Sequence, residues 1–168
     1  MTSSPEMERG STCVLDTNVM IYAHQGASAH AVSILRRCAA AEITGILPSI
    51  VWEELCHKLM VAEAIAAGHV AGPNPSRKLA EHPEVVRRLT AYRENLAALG
   101  GMGLHFEAVL REDVLSAAVG LQKRYGLLTN DSIIAACAIR LGVDYLVTSD
   151  QAFSQIGELK VVMVSATQ

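Results

Sequence analysis

The chain has 168 residues, 51% of them hydrophobic and 18% charged, with a formal net charge of −3. That length supports a core of its own, and no apolar run approaches the roughly 20 residues a membrane helix requires. The four cysteines, Cys13, Cys38, Cys56 and Cys137, are scattered without a CxxC pair, which excludes a disulfide scaffold or zinc ribbon and reads as reduced thiols in apolar surroundings.

The start, from Met1 to about Ser11, is polar and reads as flexible. It lacks the apolar core of a secretion signal, which places the protein in the cytoplasm. A first strand is expected over Thr12–Leu15 and a short helix over Asn18–Ala23. Ser28 suits the N-cap of a second helix, whose Ala31, Ile34, Leu35 and Cys38 form one apolar face. Thr44–Leu47 reads as a strand stopped by Pro48, with Ser49 capping a long helix to about Ala67. Gly68 to Ser76, broken by Gly72, Pro73 and Pro75, reads as a loop.

A helix over about Pro83–Leu99 would carry Val85, Leu89, Tyr92 and Leu96 on one side and end at Gly100, Gly101 and Gly103. A third strand lies within Leu104–Val109, and amphipathic Arg111–Tyr125 and alanine-rich Asp131–Leu141 are helical. Tyr145–Thr148 and Lys160–Val164 are the last strands, flanking a short helical piece near Gln151–Ile156. Strand and helix alternate, with connections long enough for right-handed crossovers. The expectation is a single α/β domain over residues 1–168, a three-layer α/β/α sandwich on a parallel sheet of four or five strands. The pattern leaves strand order open. If the first and fourth strands are central neighbours, the crevice where chain direction reverses holds Asp16 and Asp150.

Both acids end short apolar runs, Cys13-Val14-Leu15-Asp16 and Tyr145-Leu146-Val147-Thr148-Ser149-Asp150, at the strand edge where open α/β sheets bind ligands. Each acid has an ordinary use by itself. Asp16, Asp131 and Asp150 can cap helices, and Glu54 can pair with Lys58 one turn on. Taken together, three aspartates at strand exits or a helix start would be gathered on one face, with Glu54 at the border of an apolar helical stripe. Converging carboxylates raise one another's pKa unless a cation intervenes. Oxygen-only ligands select hard ions, Mg²⁺ or Mn²⁺, which can activate water and neutralise charge on a phosphodiester.

Charge is uneven along the chain. Arg77, Lys78, Arg87, Arg88 and Arg93 against Glu81 and Glu84 give residues 77–93 a local +3, leaving −6 elsewhere. Such a segment can hold a polyanion or be a solvated helix face. Glu54-x-x-His57 has no second copy, which counts against a di-iron site. Trp52, Tyr92 and Phe153 read as core residues.

Four stretches carry a resemblance: Val14-Leu15-Asp16-Thr17-Asn18-Val19-Met20-Ile21, Pro48-Ser49-Ile50-Val51-Trp52-Glu53-Glu54-Leu55, Asn130-Asp131-Ser132-Ile133-Ile134-Ala135-Ala136-Cys137-Ala138, and Leu146-Val147-Thr148-Ser149-Asp150-Gln151-Ala152-Phe153. In this order they resemble the PIN-domain ribonucleases, and among those the VapC toxins of bacterial toxin–antitoxin pairs. The resemblance implies sheet order 3-2-1-4-5, and Asp16, Glu54, Asp131 and Asp150 as the catalytic quartet that binds Mg²⁺ or Mn²⁺. Glu54 is preferred to Glu53 because the family's glutamate directly precedes a leucine. Asn18 and Thr148 would tether ligand side chains or backbone. The resemblance further implies RNA hydrolysis, a homodimer and a small VapB-like antitoxin. Residues 68–103 would be a Gly/Pro-broken helical insertion bearing Arg77, Lys78, Arg87 and Arg88 as RNA contacts. Two alternatives remain: a haloacid-dehalogenase-like phosphatase with Asp16 as nucleophile, disfavoured by Asn at position 18, and an inert RNA-binding PIN-like module.

Overall fold

The computed structural model describes residues 6–166. Five parallel strands form one sheet in the order β3-β2-β1-β4-β5, with β1 at Thr12–Leu15, β2 at Thr44–Pro48, β3 at His105–Glu107, β4 at Tyr145–Thr148 and β5 at Val161–Met163. This is the expected α/β/α topology. The central strands are apolar on both faces, as helix-covered parallel strands must be: Cys13, Val14, Leu15, Leu146 and Val147 are all fully buried.

Helices α1 (Thr17–His24), α2 (Ala29–Ala39) and α3 (Ser49–Ala66) follow the first two strands, and α7 (Glu112–Tyr125) and α8 (Thr129–Leu141) precede β4. Ser28 caps α2 as expected, its hydroxyl accepting from the Ala31 amide at 3.3 Å. Helix α8 is sheathed: every residue from Ser132 to Ala138 is buried, and five of these seven are Ala, Cys or Ser, so it lies close to its neighbours. Among the described residues no helix is long and apolar enough to cross a membrane.

Several expectations are corrected. The single helix over 83–99 is divided, and the loop before it is shorter. Pro75 opens α4 (Pro75–Ala80), Pro83 opens α5 (Pro83–Arg88), and α6 spans Ala91–Ala98. The break at Leu89 and Thr90 has a remote cause. The Glu63 carboxylate on α3 accepts from the amides of Thr90, Ala91 and Tyr92 at 2.9, 3.1 and 2.8 Å, capping α6 from outside. Leu79, Leu89 and Tyr92 turn inward against Ala64 and Val70 and fasten the three short helices to α3.

Ser49 does not cap α3. Pro48 holds the cap position, and the Ser49 hydroxyl accepts from the Val109 amide at 3.3 Å. Trp52 is exposed, because it points about 100° around α3 from buried Val51, whereas Tyr92 and Phe153 are buried as expected. The expected flexible start falls partly outside the described residues. Within them Met7 is buried, its carbonyl accepts from Arg37, and the Gly10 amide donates to the Glu42 carbonyl at 2.7 Å.

Candidate active site

Strand order runs outward in both directions from the β1–β4 pair, so the crevice at their C-terminal ends is the switch point of the sheet. Leu15 lies opposite Val147, and the Asp16 amide extends that pairing by donating to the Val147 carbonyl at 3.0 Å. Asp16 is thereby fixed at the mouth of the crevice and buried. Its Oδ1 accepts from the Thr17 amide at 2.6 Å, starting α1, and its Oδ2 accepts from the buried Thr148 hydroxyl at 2.7 Å. Burial pushes the Asp16 carboxyl above the ordinary range; the bonds from Thr148 and Thr17 oppose the rise, and the nearby Glu54 charge adds to it.

Thr148 is shared. Its Oγ1 also accepts from the Asp150 amide at 3.0 Å, and Asp150 Oδ1 accepts from the Ala152 amide at 2.8 Å to start the 3-10 turn Gln151–Gln155. The capping role and the site position therefore belong to the same carboxylates: Asp16 and Asp150 each use Oδ1 on a following amide.

Glu54 and Asp131 come from helices. Glu54 is half-buried on α3, beside exposed Glu53. Its Oε2 accepts from the Thr17 hydroxyl at 3.0 Å and from Asn130 Nδ2 at 3.4 Å, and its Oε1 lies 2.7 Å from Lys58 Nζ. Desolvation works against the Glu54 charge, yet the Lys58 ammonium and the two hydrogen bonds hold this carboxyl below its usual range. Asp131 lies in the first turn of α8, half-buried, on an open depression of about 430 Å³ that Glu54, Leu128, Thr129 and Asn130 also line. Its carboxyl rises from 3.8 to about 6, first through desolvation, then through the charges of Asp16, Asp150 and Glu54. Asp131 thus lies within electrostatic reach of the other three acids at one sheet edge.

Among the described residues no three His, Cys, Asp or Glu side chains stand close enough to grip one ion together. That does not suit a closed cage of zinc type. A hydrated hard ion asks for less: Mg²⁺ keeps several waters and binds through one or two carboxylates. Oxygen donors with excess negative charge fit that chemistry: one or two of Asp16, Glu54, Asp131 and Asp150 at a time could hold such an ion, with water completing its shell.

Asn18 Nδ2 donates to the Ser149 hydroxyl at 3.2 Å, and Asn18 Oδ1 accepts from Lys58 at 3.4 Å, joining α1, α3 and the end of β4. Thr17, Ser149 and the reach of Lys58 to Asn18 are absent from the site expected from sequence. A hydroxyl beside Asp16 and a lysine one turn after Glu54 were the available signals. Arg77, Lys78, Arg87 and Arg88 are exposed on α4 and α5, with Arg77 3.6 Å from Glu81 and Lys78 bonded to the Ala71 carbonyl.

No curated protein matches the chain at a significant level. Solved structures do. VapBC2 from Rickettsia felis, bound to a DNA fragment from its promoter, aligns with TM-score 0.60 and 19% identity over 92% of this chain and 99% of that one. A toxin–antitoxin complex from Klebsiella pneumoniae aligns with TM-score 0.55 and 20% identity over 90% and 96%. At such identities the likeness concerns the fold. The PIN domain family model matches residues 13–159, which include all four acids. The chain belongs to the PIN domain family.

Proposed function

We propose that this chain is a Mg²⁺- or Mn²⁺-dependent endoribonuclease and the toxin of a toxin–antitoxin pair, acting in the cytoplasm. PIN domains are nucleases, which supports a hydrolase acting on phosphodiester bonds. The observation that carries the reading is the gathering of Asp16, Glu54, Asp131 and Asp150 at the switch point of the sheet, each within range of another's charge. A divalent ion held there would lower the pKa of water and neutralise charge building on a phosphodiester. The protein's own part is orientation. Thr148 and the Thr17 amide fix both oxygens of Asp16, while Thr17 and Asn130 fix Oε2 of Glu54. The exposed Arg77, Lys78, Arg87 and Arg88 of the insertion would hold the RNA backbone.

The two solved structures named above are toxin–antitoxin complexes, which supports the VapC type for this chain and a small antitoxin as its partner; a homodimer accompanies that reading. A phosphatase of the haloacid-dehalogenase type needs a second aspartate at position 18, where Asn18 instead bridges Ser149 and Lys58. The decisive assay incubates purified protein with RNA in Mn²⁺ and in EDTA. Cleavage confined to Mn²⁺ is expected. RNA that binds yet stays intact under both conditions would instead identify an inert binding module.

A further inference from the structure

Lys58 pairs with Glu54 one turn before it on α3 and reaches beyond that pair to Asn18. Its Nζ lies 2.7 Å from Glu54 Oε1 and donates to Asn18 Oδ1 at 3.4 Å, with 41% of its side chain exposed against 26% for Glu54. The partition of Glu54 is informative. Oε2 is taken by neutral donors, Thr17 and Asn130, whereas Oε1 is given wholly to the ammonium. The charge of Lys58 is also felt at Asp16 and Asp131. One monovalent cation is thus in contact with Glu54 and within charge range of two more of the four acids.

A lysine suits a temporary post. Its ammonium is a compact point charge with three donors on a flexible stem, without the fixed fork of arginine. A divalent ion entering the same group of carboxylates repels it and competes for Glu54 Oε1 with twice the charge. The half-exposed stem allows the head to leave while its base stays on α3 beside the crevice. A phosphodiester oxygen brought to that crevice is the nearest new anion for it.

Resting on the metal-dependent nuclease reading, we infer that Lys58 is a resident counter-cation of the acidic pocket, displaced from Glu54 by the divalent ion and then bound to an anionic phosphate oxygen of the nucleic acid strand. No bond is made or broken at Lys58; it exchanges one anionic partner for another.

The test compares wild type, Lys58→Met and Lys58→Arg in three measurements. The first is Mn²⁺ affinity by calorimetry, where Lys58→Met removes the competitor and should bind roughly threefold more tightly. The second is the melting temperature, which should fall in the metal-free Met variant and recover to the wild-type value in saturating Mn²⁺; a merely structural lysine leaves a deficit in both states. The third is affinity for a 2′-O-methyl oligoribonucleotide, which resists cleavage, in saturating Mn²⁺. It should weaken several-fold in Lys58→Met and be largely restored in Lys58→Arg. Equal Mn²⁺ affinity, or equal oligonucleotide affinity, overturns the inference. If wild type itself takes up no Mn²⁺, the nuclease reading fails and the inference with it, a result distinct from failure of the lysine alone.

Discussion

The central β1–β4 pair has Asp144 at one edge and Asp16 at the other, and these two are treated in opposite ways. At the N-terminal edge, Asp144 just before β4 accepts from both the amide and hydroxyl of Thr12, at 2.8 and 3.0 Å, and its own amide donates back to the Thr12 hydroxyl at 3.2 Å. These bonds, the Thr12 amide foremost, hold its carboxyl below the ordinary range in full contact with water. At the C-terminal edge Asp16 is buried, faces Glu54, and its carboxyl is pushed upward, first by desolvation. Asp144, with its depressed carboxyl, joins the two strands and stabilises the fold; Asp16 holds charge that the fold by itself disfavours, which suits a group kept for chemistry.

The largest test of that contrast is Asp16→Asn. It should cut Mn²⁺-dependent RNA cleavage about a hundredfold or more, because on the proposed reading a ligand to the ion is lost. The melting temperature should not fall, since the variant removes a charge that burial penalises. Cleavage near the wild-type rate in Asp16→Asn would end the assignment of the site.

Acidity offers the next test. With its carboxyl raised from 3.8 to about 6, Asp131 binds a proton in the folded chain across a window where the unfolded chain has released it. Its contribution to stability is therefore full below about pH 4 and declines as pH rises toward 6. A divalent ion needs the ionised form, so Mn²⁺ affinity should fall roughly tenfold per pH unit below about 6. Calorimetry across pH 4.5–7.5 would show this, and Asp131→Asn should remove the dependence together with most of the affinity. A flat profile in wild type would separate Asp131 from the ion.

Asp144→Ala gives the mirror image. It should lower the melting temperature near neutral pH and leave cleavage per folded molecule unchanged. The wild-type advantage should shrink as pH drops through the depressed carboxyl's own range, as its sign requires. Loss of activity without loss of stability would erase the distinction between the two edges.

The smallest effect belongs to the insertion. Reversing charge at Arg87 and Arg88 should weaken RNA binding and flatten its salt dependence, by about 0.7 in logarithmic slope for each phosphate of a single strand that is no longer neutralised. An unchanged slope in a titration from low to high salt would remove α5 from the interface.

Much of the fold is legible because its signals are local. Apolar runs ending on Asp16 and Asp150, and helices between them, are enough to write the alternating α/β pattern, and strand order follows from the resemblance of four motifs. What escapes the sequence depends on partners distant along the chain. The break at Leu89 and Thr90 answers to Glu63, 27 residues before Thr90, and Ser49 serves Val109, 60 residues away. Hydrophobicity alone assigns Trp52 to the core, whereas its angle around α3 decides its exposure. Helical spacing makes Lys58 a solvent-side partner of Glu54; the orientation of both toward Asn18 and the crevice is tertiary.

Helix α3 serves two masters. Glu54 and Lys58 project from α3 beside the crevice, and Glu63, nine residues after Glu54, anchors the start of α6 and with it the basic insertion. Nine residues of α-helix make a ruler of about 14 Å. That length along α3 separates the carboxylate end from the anchor of the insertion, so on the proposed reading very short oligonucleotides should be poor substrates whatever their sequence.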